Sequence, residues 1–133
     1  MSSEPQGALS AFRFRLSGGM SGGRREFGVT ALNGRKCLYD SSEAGWHNRK
    51  PATCKKKLPA ELLTQLRDLF MNGRLYEKTE APRSEVMLLD APTACYTFAF
   101  GDTVFTFTSG YDYPDGVPEA LDEACRLIAE AAR

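Results

Sequence analysis

Between residues 95 and 108 the chain reads Cys-Tyr-Thr-Phe-Ala-Phe-Gly-Asp-Thr-Val-Phe-Thr-Phe-Thr, two alternating apolar and polar runs separated by two turn formers. Alternation with period two marks a half-buried strand, and Gly101-Asp102 reads as a hairpin turn in which Gly supplies the positive φ of a primed turn. That turn sets Phe100 opposite Thr103, Phe98 opposite Phe105 and Tyr96 opposite Phe107. Four Phe and one Tyr then share one face, and a slip of one residue would turn every ring to solvent. Whatever fold the chain adopts must cover this face with something apolar.

With 133 residues, the chain can sustain one core without staples. The reading is a single α+β domain over residues 9–133, an antiparallel sheet with two helices packed on one face, preceded by a flexible tail at 1–8. The opening Met-Ser-Ser-Glu-Pro-Gln-Gly lacks the charged and apolar regions of a signal peptide, and no run reaches membrane-spanning length. A soluble, cytoplasmic protein without a membrane partner is expected. Cys37, Cys54, Cys95 and Cys125 form no CxxC pair, so neither a zinc knuckle nor a redox pair is written here, and the thiols read as buried or incidental. The net charge of +0 hides an asymmetry: residues 1–57 hold eleven Lys and Arg against four Asp and Glu, residues 58–133 six against thirteen. Folding decides whether this becomes mixed surface or a basic patch.

In chain order, Phe12, Phe14 and Leu16 alternate with Arg13 and Arg15 in a first strand. A loop with four glycines in seven residues follows, from Ser17 through Met20 to Gly23. It lacks the strand-to-helix context of a phosphate loop, which leaves a plain connection or a backbone-donating recognition loop with Met20 at its tip. Residues 26–32 and 35–40 flank Asn33-Gly34, a type I′ hairpin signal that sets Val29 opposite Leu38 and Thr30 opposite Cys37. Residues 41–58 lose all periodicity and read as a long loop holding the sole Trp, Trp46, and the sole His, His47, among Arg49, Lys50 and Lys55 to Lys57. Trp46 either folds over the end of the core or offers a contact surface.

Pro59 is expected in the first turn of a helix whose stripe is Leu62, Leu63, Leu66, Leu69 and Phe70, with Gly73 as its left-handed cap. An irregular stretch over 75–82 leaves room for a short edge strand, and 85–90 reads as another strand. After the aromatic hairpin, residues 109–116 form a turn-rich loop with two exposed-looking tyrosines, Tyr111 and Tyr113. Its spacing does not match the twelve-residue calcium loop. Pro118 starts a terminal helix with a stripe of Leu121, Ala124, Cys125, Ile128 and Ala131.

No paired carboxylates, metal-ligand set, triad or nucleotide fingerprint emerges, so no catalytic residue, metal or cofactor is assigned, and a non-catalytic binding module is expected. An enzyme built on Cys54 and His47 lacks a nameable third group to orient the base. The strand Phe12-Arg13-Phe14-Arg15-Leu16 running into Ser17-Gly18-Gly19-Met20, the helix with Leu62 and Leu66, the strand Tyr96-Thr97-Phe98 and the ending Val117-Pro118-Glu119-Ala120-Leu121 resemble, as an order of elements, small bacterial proteins of the emfourin type, cytosolic inhibitors of thermolysin-like metalloproteases. That resemblance implies a protease partner and a blocking loop at Gly18, Gly19 and Met20. The alternative is an adaptor or complex subunit docking through loop 41–57, with Trp46, His47, Arg49 and Lys50 as contacts, on an acidic protein or nucleic acid.

Overall fold

The computed structural model describes residues 5–18, 23–44, 52–80 and 92–133. The strands β1 (Ala11–Gly18), β2 (Arg24–Ala31), β3 (Lys36–Ala44), β4 (Ala52–Pro59), β5 (Pro92–Phe100) and β6 (Thr103–Thr108) form one sheet with the order β4-β3-β2-β1-β5-β6, and every neighbouring pair is antiparallel. Helix α1 (Glu61–Asn72) lies between β4 and β5 in the chain, and α2 (Val117–Ala131) closes it. The protein is therefore an α+β domain. Among the described residues no helix is long and apolar enough to cross a membrane.

The β5–β6 hairpin has the register that its sequence dictates: Phe100 pairs with Thr103, Phe98 with Phe105 and Tyr96 with Phe107. Gly101 carries φ +63°, and Asp102 is not among the residues with positive φ, the pattern of a II′ turn, whose twist matches the strands it joins. Phe98, Phe100, Phe105 and Phe107 are buried. From α1, Phe70 sets its ring 4.8 Å from Phe98, 5.0 Å from Phe100 and 5.1 Å from Phe105. Leu62, Leu63 and Leu66 join the same core. Each ring or leucine so buried contributes roughly 1.5–3 kcal/mol before chain entropy is counted.

Pairing carries this face across the sheet, since Phe12 lies between Phe98 and Val29, and Phe14 between Tyr96 and Phe27. The opposite face holds Arg13. Its guanidinium reaches across β2 to Asp40 on β3, with two donor–acceptor distances of 3.0 Å, and also donates to Glu26 Oε1 at 3.2 and 3.3 Å. Gly28 lies under that span. A Cβ there would meet the Phe12 carbonyl oxygen at 2.5 Å and Arg13 Cγ at 3.0 Å, so any side chain would disrupt both the strand and the ion pair.

Several expectations are corrected. Residues 33–34 do turn a hairpin, but Val29 pairs with Tyr39 and Thr30 with Leu38, one residue out of the expected register. The Asn33 side chain causes the shift: its Oδ1 accepts from the Arg35 and Lys36 amides at 2.8 and 2.9 Å. This side-chain turn takes three residues where a type I′ turn takes two, and it brings Cys37 rather than Leu38 into the core.

Residues 41–58 are not one long loop. They hold the end of β3 and all of β4 except its last residue, Pro59, with only 45–51 outside the described residues. β4 escapes pattern reading because Leu58 alone among its residues is buried; pairing with β3, not burial, makes it a strand. The same pairing holds Pro59 in β4 opposite Lys36, where a prolyl nitrogen at a sheet edge is tolerated, and α1 begins two residues later.

The left-handed residue after α1 is Arg74, at φ 51°, whereas Gly73 stays at φ −83°. Residues 75–77 form a 3₁₀ turn that buries Leu75 and Tyr76, in place of an edge strand. The strand expected at 85–90 lies outside the described residues. At the N-terminal end, the Gly7 carbonyl accepts from Arg67 Nε at 2.9 Å, and Leu9 is buried.

Candidate functional site

Because the first four strands are joined as consecutive antiparallel hairpins, β1 and β3 end where β2 and β4 begin. Ser17 pairs with Arg24, Arg24 with Ala44, and Gly18 with Pro92 at the start of β5. The two connections singled out in the sequence therefore leave from the same end of the sheet, and the chain enters β5 at that end too. Of the expected contact residues, Gly18 is the last residue of β1, with φ +91°. Gly19, Met20, Trp46, His47, Arg49 and Lys50 lie outside the described residues.

Toward this end the aromatic face opens into a cleft of about 380 Å³ between the sheet and α2, within the size range of small-ligand sites. Its sheet wall is a set of rings: Phe14 lies 4.9 Å from Phe27 and 5.1 Å from Tyr96, centroid to centroid. Tyr39 and Arg25 extend the wall, and the Arg25 guanidinium stands 5.4 Å from the centre of the Phe27 ring, a cation–π distance. Across the gap α2 contributes Asp122, Cys125 and Ile128. A second hollow of about 220 Å³ continues from Arg25 and Tyr39 over Ser41 to Cys54.

The alternation that makes Phe27 and Val29 core residues also puts Arg25 on their face. It sits one step nearer the end of the strand, where the face becomes polar. That signal is present in the sequence. The contribution of α2 is not, because it follows from packing between elements remote in the chain.

Burial pushes the Cys125 thiol up to about 12, Asp122 adds to the shift, and Arg25 partly offsets it. Burial likewise raises Tyr96, helped by Cys125 and Asp122. Both groups stay protonated at neutral pH and can donate hydrogen bonds, whereas a thiol held in that form is a poor nucleophile. Arg126, at the rim, is held by Glu123 and Glu130 of its own helix. Cys54 is exposed on β4 opposite Ser41. Among the described residues no group of three or more His, Cys, Asp or Glu side chains could hold a metal ion.

Tyr113, expected to be exposed, packs its ring 5.4 Å from Phe107, and its hydroxyl accepts from the Thr108 amide at 2.9 Å. Tyr111 remains exposed. No protein-family model matches this chain, and no curated protein matches it.

Proposed function

We propose that the protein is a non-catalytic binding module that grips a protein partner with the β1–β2 and β3–β4 connections, and that the partner is a thermolysin-like metalloprotease, which it inhibits through Gly18, Gly19 and Met20. The single observation that supports this reading is the adjacency of Ser17, Arg24 and Ala44 at one end of the sheet. Two connections rooted on neighbouring paired strands hold their bases fixed, which lowers the ordering cost of binding. The protease enters from the resemblance of the opening strand and its glycine loop to emfourin-type inhibitors.

The adaptor reading has weaker support. Of the lysines it draws on, Lys56 donates to the Ala132 carbonyl at the end of α2, so one of the charges serves the fold.

The test is to titrate a thermolysin-like protease with the purified chain and with its Met20→Ala and Trp46→Ala variants. Loss of protease activity near one equivalent, weakened at least tenfold by Met20→Ala, is the expected result. Full activity in stoichiometric excess of the chain would overturn inhibition. Binding to an acidic protein or nucleic acid that weakens steeply with salt would move the function to the adaptor reading.

A further inference from the structure

Among the described residues, no strand pairs with the outer edge of β6. In a hairpin with a two-residue turn the flanking residues, here Phe100 and Thr103, form a hydrogen-bonded pair, and the pairs then alternate. The backbone groups of Thr103, Phe105 and Phe107 therefore turn toward β5, and those of Val104, Thr106 and Thr108 turn away. Two independent contacts fit this alternation. The Ser109 amide donates inward to the Ala94 carbonyl at 2.8 Å, and the Thr108 amide donates outward to the Tyr113 hydroxyl at 2.9 Å. Tyr113 thereby closes one end of the edge. What remains is the amide and carbonyl of Val104 and of Thr106, on a strand whose neighbour in the sheet, among the described residues, is β5 alone.

Native sheets usually guard such edges with charge, proline or a bulge. β6 has no charged residue and no proline, and Val104 is 56% exposed. Val104 and Thr106 lie symmetrically about Phe105, so a two-fold axis there would set each opposite the other's counterpart and satisfy all four groups at once. The chain's formal net charge of +0 puts no electrostatic barrier between copies.

We infer that β6 pairs with β6 of a second copy, antiparallel about Phe105, to form a closed two-fold dimer with one continuous sheet. The pairing engages a different part of the molecule from the connections assigned to the protease, and it stands whether or not that assignment does.

Sedimentation equilibrium of the full chain up to about 1 mM, where even millimolar affinity populates the dimer, should show a monomer–dimer equilibrium. The Val104→Lys/Thr106→Lys double variant should be monomeric at the same concentrations with an unchanged circular-dichroism spectrum. Amide exchange supplies a readout that survives a poorly folded variant: in the wild-type chain the Val104 and Thr106 amides should be protected in proportion to dimer. A strictly monomeric wild type overturns the inference. So does a dimer that survives the double substitution with Val104 and Thr106 amides still exchanging freely, or a mass that grows past two copies.

Discussion

β4 and β6 close the same sheet at opposite edges, yet they keep their places by different means. Strand β6 is anchored by Phe105 and Phe107, both buried, and carries no charge. Strand β4 buries one side chain, Leu58, and carries Lys55, Lys56 and Lys57. The contrast extends inward, because β5 is also uncharged while β1, β2 and β3 carry Arg13, Arg15, Arg24, Arg25 and Lys36. Since β1 to β4 lie side by side in chain order, the basic half of the sequence stays together and does not interleave with the uncharged strands β5 and β6. One edge is held by apolar burial and, among the described residues, is left unpaired. The other is held by backbone pairing and guarded by charge, which discourages pairing with a neighbour.

The largest expected effect tests the anchors. Phe107→Ala should cost about 3–5 kcal/mol, because a fully buried ring leaves a cavity the core cannot fill. Leu58→Ala should cost less, about 2–3 kcal/mol, and urea denaturation of the two variants reads the difference directly. Equal losses would mean that β4 is tied to the core as firmly as β6.

Next comes the charged side. Asp40→Ala removes two hydrogen bonds from Arg13, but the pair is about one-third exposed, so a loss of about 1 kcal/mol is expected. It should shrink with added salt. A salt-independent loss would assign the effect to packing above Gly28 rather than to charge.

Tyr113→Phe sharpens the comparison at the open edge. Removing the hydroxyl leaves the Thr108 amide without its acceptor at a cost of about 1 kcal/mol. It also lengthens the free edge by one donor, so the variant should self-associate more than the wild type, as light scattering would show. The smallest stability change belongs to Lys55→Thr/Lys57→Thr, within about 0.5 kcal/mol because both residues are exposed. Its signature should be new concentration-dependent association through β4, and no change in association would mean that the lysines do not guard that edge.

How legible each region was in the sequence follows the same division. The aromatic hairpin was legible to the register, because a two-residue turn and an unbroken alternation are both local and point to the same pairing. The Asn33-Gly34 hairpin was legible as a hairpin but not in register, since the Asn33 side chain competes for two backbone amides and adds a residue to the turn. Strand β4 was not legible, and neither was the 3₁₀ turn that buries Tyr76.

By itself the sequence determined the α+β class, the committed aromatic face and the helix that covers it, because each depends on the period of side chains within a dozen residues. Tertiary structure alone decided that β4 is a strand, that Arg25 and Tyr39 meet Asp122 and Cys125 across a cleft, and that the bases of two distant connections share one end of the sheet. Those outcomes depend on which strand pairs with which and on how the last helix packs, and neither is written in the periodicity of any one segment.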